Sequence, residues 1–259
     1  MTRIKIINPN TTASMTAKIG AAAVAAAAPG TEVIVCQPAR GPVSIESHYD
    51  EAVSVIGVLD EIHRGEAEGC DGYVIACFGD PGLLAARELA RGPVVGIAEA
   101  AMHVASLVAT GFSIVTTLQR SCIMAAHLAQ AYGMSGFCRK IRAVDLAVLD
   151  LEDPSSESTA RITEECARAV EQDGCGAIVL GCAGMADLAG LISRQLGVPV
   201  VEGVSAGVKL IETLVGLGLR TSKRGDLDYP PAKPYAGDLS GLAPKPRGDL
   251  SRNPSARAP

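Results

Sequence analysis

The chain is 259 residues long, with 48% hydrophobic residues, 20% charged residues and a formal net charge of -5. That length holds one large domain or two small ones with cores of their own, and no apolar run reaches the roughly 18 residues of a membrane span. With Lys+Arg 23 against Asp+Glu 28, 3% aromatics and no Trp, the sequence has neither a basic phosphate footprint nor a base-stacking platform, which excludes nucleic acid as a partner.

The first strand is expected at residues 4–7. The N-terminus is too short and too charged for a signal h-region. In Asn8-Pro9-Asn10-Thr11-Thr12, Pro9 stops the strand, and Asn and Thr offer N-caps, so a helix starts between Ala13 and Met15 and covers about 14–28. Residues 32–36 read as a strand, 52–64 as a helix and 73–76 as a strand. Further strands are expected at 94–97, 112–115, 144–149, 177–180 and 198–201, with helices between them and a closing helix at 206–217. This rhythm predicts an α/β protein whose parallel sheets are covered on both faces. From about Thr221 the chain turns Pro- and Gly-rich, with Tyr229-Pro230-Pro231 at its head. That tail, 221–259, cannot build a core and reads as a linker or frayed end, mobile beyond about Ser240.

Eight cysteines are present, but a chain with its own core needs no disulfide staples, and no C-x-x-C occurs. Free thiols in a reducing cytoplasm are expected. Two pairs of cysteines recur in an internal repeat. Sliding the chain by 105 residues places Gly69-Cys70-Asp71-Gly72-Tyr73-Val74-Ile75-Ala76-Cys77-Phe78-Gly79 on Gly174-Cys175-Gly176-Ala177-Ile178-Val179-Leu180-Gly181-Cys182-Ala183-Gly184 without a gap. Ile6-Ile7-Asn8-Pro9-Asn10-Thr11 has a weaker echo in Ile114-Val115-Thr116-Thr117-Leu118-Gln119. The chain therefore reads as two homologous three-layer α/β halves related by a pseudo-twofold axis, with the active site between them. Residues 1–105 plus 206–220 form one half, and 106–205 the other.

In each half the second matched cysteine ends an apolar strand, at the carboxyl edge where open α/β sheets bind ligands. If the two edges face, Cys77 and Cys182 oppose each other across one cleft. Inverting a carbon stereocentre needs a base on one face and an acid on the other, and a thiol/thiolate pair can exchange those roles. A helix N-terminus behind each cysteine would favour the thiolate. The turns Phe78-Gly79-Asp80 and Ala183-Gly184-Met185 would offer backbone N–H groups to a developing enolate oxygen. Cys70 and Cys175 precede their strands and read as packing residues. Cys36, Cys122, Cys138 and Cys166 have no repeat partner and read as core or surface residues.

A rival lies in Gly203-Val204-Ser205-Ala206-Gly207, a G-x-S-x-G between a strand and a helix. The hydrolase order Ser, acid, His cannot be completed, because His48, His63, His103 and His127 all precede Ser205. No Cys/His spacing suits a metal, and no phosphate-binding glycine motif is present. Neither a metal nor a cofactor is expected.

Ile7-Asn8-Pro9-Asn10-Thr11, Ala76-Cys77-Phe78-Gly79-Asp80-Pro81-Gly82-Leu83 and Val179-Leu180-Gly181-Cys182-Ala183-Gly184-Met185 together resemble the hydantoin/allantoin racemase branch of the aspartate/glutamate racemase superfamily. The resemblance covers about residues 3–237. It implies a cofactor-independent racemase with Cys77 and Cys182 as acid/bases. Around them, Asn10, the loop at Ile45, Phe78, Gly79, Thr116, Thr117, Ala183 and Gly184 would meet a small-molecule substrate. It also implies a homo-oligomer. Phe78-Gly79-Asp80-Pro81-Gly82 and Gly96-Ile97-Ala98-Glu99 lean the substrate toward allantoin, with amino-acid-derived 5-monosubstituted hydantoins second. His48-Tyr49 departs from related sequences. An aspartate/glutamate-type racemase, a maleate isomerase and a catalytically silent binding protein are the alternatives, while a one-cysteine decarboxylase is disfavoured by the thiol in both halves.

Overall fold

The computed structural model describes residues 1–152 and 156–244. The first half runs β1 (Thr2–Ile7), α1 (Ala13–Ala26), β2 (Thr31–Cys36), α2 (His48–Glu68), β3 (Gly72–Ile75), α3 (Leu83–Leu89), β4 (Val94–Gly96) and α4 (Ile97–Val108). The second repeats the rhythm: β5 (Phe112–Thr116), α5 (Gln119–Ala131), β6 (Cys138–Ala143), α6 (Ser156–Gln172), β7 (Ala177–Leu180), α7 (Ala189–Leu196), β8 (Val200–Glu202) and α8 (Gly203–Gly216). Their sheets have the same order, β2-β1-β3-β4 and β6-β5-β7-β8, with every pairing parallel. This is the two-halved α/β architecture expected from the repeat.

The central strands β3 and β7 are buried along their whole length, as apolar runs covered on both faces must be. On the outer faces, Val58 and Ile62 of α2 pack with Tyr73 and Ile75, and Ile162 of α6 and Ile192 of α7 pack with Ile178 and Leu180. One shared core fills the space between the sheets. Val74 and Val95 from one half and Ile114 and Val179 from the other meet the small-residue faces of α4 and α8 there. The closing helix α8 packs on β1, β3 and β4, and α4 reaches β7 and β8, so each half's last helix covers the other's sheet.

Residues 144–149, expected as a strand, are not one. The strand is β6, just upstream, and 144–149 is a loop that passes Asp145 at φ 51 into a short 3-10 turn, Val148–Glu152. The strand carries Arg139, Lys140 and Arg142 on a sheet edge, where only β5 pairs with it, so an apolar run could not reveal it. The apolar run that drew attention, Val144, Leu146 and Val148, is buried because the loop itself packs into the cores.

The tail is more ordered than a frayed end as far as residue 244. Thr221 Oγ1 donates to the Gly92 carbonyl, and Lys223 Nζ donates to the carbonyls of Arg87 and Glu88 at the end of α3 while lying 4.7 Å over the Tyr229 ring. Gly237–Leu242 forms a 3-10 turn, and of the stretch expected to be mobile beyond Ser240, residues 245–259 lie outside the described residues.

Candidate active site

The carboxyl ends of β1, β3, β5 and β7 converge on a cleft enclosing about 560 Å³, counted out to its open mouth. Cys77 and Cys182 both line it, one from each half. Of the eight residues expected around them, Asn10, Ile45, Phe78, Gly79, Thr116, Thr117 and Ala183 line the cleft as well. Gly184 does not, although it packs behind the second thiol and its carbonyl accepts from Lys18 Nζ at 3.3 Å. Met15, Glu51, Ser121, Met124 and Val148 also line the cleft and were not foreseen. Four of these stand on helices or loops whose place over the cleft depends on packing between the halves. Glu51 had one cue, the unusual His48-Tyr49 pair beside it.

The floor is fixed by side chain to backbone bonds. Asn8 Nδ2 donates to Asn10 Oδ1 at 2.9 Å, which in turn accepts from the Thr12 amide at 2.9 Å, so both amide side chains are held before α1 begins. Thr12 is the N-cap residue, as expected, but its hydroxyl donates to the Val43 carbonyl at 2.6 Å and ties the strand end to the loop carrying Ile45. Thr116 Oγ1 donates to the Gly181 carbonyl at 3.0 Å, joining the ends of β5 and β7 beside Cys182. Bonds across the halves close the cleft: the Val148 amide donates to Glu46 Oε1 at 3.0 Å, and Lys18 Nζ donates to the Leu151 carbonyl at 2.9 Å.

The two thiols do not stand alike. Cys182 is the N-cap of a 3-10 helix, Ala183–Leu188, as a strand-to-helix thiol should be. No helix starts directly behind Cys77. The Asp80 amide closes a turn on the Cys77 carbonyl at 3.0 Å, as the Met185 amide does on the Cys182 carbonyl at 3.1 Å, but the first turn does not run on into a 3-10 helix and α3 starts only at Leu83. The helix N-terminus expected directly behind Cys77 is therefore absent at that thiol. Burial pushes its pKa upward, the Gly79 N–H opposes that by bonding the sulfur, and the charges of Cys182, Glu51 and Asp80 add to the rise. The net effect favours the protonated form of the Cys77 thiol.

Asp80 holds this turn. Its φ is 46, a left-handed conformation rare for a residue with a side chain, and its carboxylate is almost fully buried. Oδ1 accepts from the Ala98 amide at 3.0 Å, and Oδ2 accepts from the Glu99 amide at 2.9 Å and the Tyr132 hydroxyl at 2.8 Å. These donors favour the carboxylate, yet burial wins and raises its pKa to about 7.

Ser205 is not part of the cleft. Its amide donates to Glu202 Oε1 in the first turn of α8. The two glycines of the G-x-S-x-G pattern let α8 approach its neighbours: a Cβ on Gly203 would lie 2.3 Å from the Ile97 carbonyl oxygen, and one on Gly207 2.9 Å from Val74. Cys70 and Cys175 are buried, and Cys175 Sγ donates to the Ala169 carbonyl at 3.5 Å, in keeping with packing. Among the described residues no cluster of His, Cys, Asp and Glu could hold a metal ion, and no helix is long and apolar enough to cross a membrane.

Two thiols at the ends of matched strands, one from each α/β half, line one cleft, and the fold and its relatives define an isomerase. A model of the Asp/Glu/Hydantoin racemase family matches residues 4–211, and the chain belongs to that family. A hydantoin racemase of Pseudomonas sp. (strain NS671) is 49% identical over 237 residues, covering 92% of this chain and 95% of that protein. An allantoin racemase from Klebsiella pneumoniae is 57% identical, with a TM-score of 0.93 over 95% of this chain and 100% of that one. Allantoin racemase from Pseudomonas fluorescens is 36% identical, with a TM-score of 0.87 over 91% of this chain and 100% of that one. The protein is a racemase of the hydantoin/allantoin branch.

Proposed function

We propose that the protein racemises allantoin by moving a proton at C5 of the hydantoin ring between two thiols, and so serves ureide catabolism. The observation that carries this reading is that Cys77 and Cys182, the matched cysteines of the repeat, line one cleft from opposite halves. The C5 proton is acidified by the neighbouring carbonyl, so a thiolate on one face can abstract it while a thiol on the other face delivers one. Burial favours the protonated form of Cys77, so it acts as the acid when C5–H faces Cys182, and the roles reverse for the other enantiomer. The two thiols titrate as a coupled pair through the substrate.

The ring is held by groups that do not change charge. Backbone N–H groups of the two thiol turns, at Phe78, Ala183 and Gly184, stabilise the enolate oxygen, while Asn10, Thr116 and Thr117 offer hydrogen bonds to the ring. Ile45 and Phe78 cover its edge.

The test follows single-enantiomer allantoin, and separately a 5-alkyl hydantoin, in D₂O with a chelator present. Loss of optical rotation with deuterium entering C5, unaffected by chelator and faster with allantoin, is the expected result. If neither substrate exchanges above the uncatalysed rate, the reading is wrong. Faster turnover of the alkyl hydantoin would instead favour the amino-acid-derived substrates.

A further inference from the structure

Glu51 is the one carboxylate among the described residues of the cleft wall, which contains no Lys, Arg or His. It stands one turn into α2. The neighbouring Asp50 is consumed by the helix start, its Oδ2 accepting from the Ser47 hydroxyl at 2.8 Å and from the Glu46 amide at 3.1 Å. Glu51 has no such duty. Its Oε2 pairs with His48 Nδ1 at 3.1 Å on the solvent side. Its Oε1 points inward, against the backbone of the first thiol turn.

That approach requires glycine at position 79. A Cβ there would lie 2.1 Å from Glu51 Oε1, so a side chain at 79 would push the carboxylate out of this position. Gly79 thus does two things: its N–H bonds Cys77, and its bare α-carbon admits the carboxylate. A negative charge beside a group that must at times be a thiolate, near an enolate that must form, opposes both. Oε1 is an acceptor that reaches the cleft wall. A carboxylate accepts hydrogen bonds and donates none, so its placement selects for donors on the substrate.

We infer that Glu51 is a specificity-determining residue that accepts N–H donors from the group attached to C5, restricting the site to neutral, donor-bearing substituents such as a ureido group and disfavouring alkyl and anionic ones. This rests on the racemase reading above and deepens it. The position follows from the thiols: Cys77 faces C5, and Glu51 lies beside Cys77, within reach of what C5 carries. An alkyl substituent would desolvate the carboxylate with nothing in return, and a carboxylate substituent would meet it with like charge.

The experiment measures kcat/KM for allantoin and for a 5-alkyl hydantoin with the unsubstituted protein, Glu51→Gln and Glu51→Ala, alongside thermal midpoints. The allantoin-to-alkyl preference is expected to fall by about 10- to 100-fold in Glu51→Ala, the size of a charge-assisted hydrogen bond, mainly through KM. Glu51→Gln keeps an acceptor oxygen and falls less. Equal losses on both substrates would mean that Glu51 serves the ring or the thiol, and would overturn the inference, as would an unchanged ratio. Should Glu51→Ala fold poorly, the Gln variant alone decides, since it preserves the shape against Gly79. If the unsubstituted protein exchanges neither substrate, it is the racemase reading itself that fails.

Discussion

The N-termini of α4 and α8 occupy the same place in the two halves, and the same two amides of each helix are bonded by a carboxylate from different sources. In the second half the N-cap residue Glu202 uses its own side chain, accepting from Val204 and Ser205, both at 2.7 Å. In the first half the N-cap is Gly96, and Asp80 reaches across from the thiol turn to Ala98 and Glu99. The Asp80 carboxyl fills the space a side chain at 96 would need, since a Cβ there would lie 2.0 Å from Asp80 Cγ. At the position of Asp80 the second half has Met185, fully buried in the outer core. The first thiol turn is therefore fastened to a helix end by hydrogen bonds to a buried carboxyl group, whereas the second packs Met185 into the outer core. Capping and catalysis are joined in one half and separate in the other.

The largest effect should come from the thiols. Cys77→Ser and Cys182→Ser are each expected to lower the racemisation rate by more than about 1,000-fold, measured by optical rotation, because the other half cannot supply both acid and base. Next, Asp80→Ala removes the acceptor for three buried donors. We expect a loss of about 2–4 kcal/mol by denaturant titration, accompanied by a fall of about 10- to 100-fold in kcat as the Cys77 turn loosens. Glu202→Ala is the matched control. Loss of that cap should cost about 1–2 kcal/mol and leave kcat within about threefold. A large kcat loss in Glu202→Ala, or none in Asp80→Ala, would erase the distinction between the halves.

A pH series sharpens the same comparison. The Asp80 carboxyl, near 3.9 in an unfolded chain, is raised to about 7 in the fold, so between these values the folded protein holds the extra proton. Its contribution to stability is complete below about pH 4 and is lost as pH rises through about 7, at up to about 1.4 kcal/mol per pH unit. Asp80→Asn, which cannot titrate, should flatten that slope when stability is measured at several pH values. The smallest effect is expected from Lys223→Ala, which frees two carbonyls at the end of α3 and should cost about 1 kcal/mol with no change in kcat.

Much of this was legible in the residues because the fold is a repeat. A gapless match of cysteine-bearing strands gave β3 and β7 the same register position, and with it the convergence of Cys77 and Cys182. Where local pattern and burial disagree, reading failed. The edge strand β6 is too charged to show an apolar run, and the loop after it is apolar because it packs. The turn behind Cys77 reads as a helix start because its sequence matches the second half, where the same turn runs on into a 3-10 helix. Glu51 was missed because its claim to the cleft depends on Gly79, a residue distant in sequence whose missing side chain is visible only once both are placed.

The central claim, that two thiols work on opposite faces of one carbon, is tested most directly by deuterium exchange in the single-cysteine variants. Each enantiomer of allantoin is incubated separately with Cys77→Ser and Cys182→Ser in D₂O, and the C5 proton is followed against an enzyme-free control. The account predicts that neither variant interconverts the enantiomers and that any residual exchange is confined to one enantiomer in one variant and to the other enantiomer in the other. Racemisation of either enantiomer at the unsubstituted rate by either variant would contradict it.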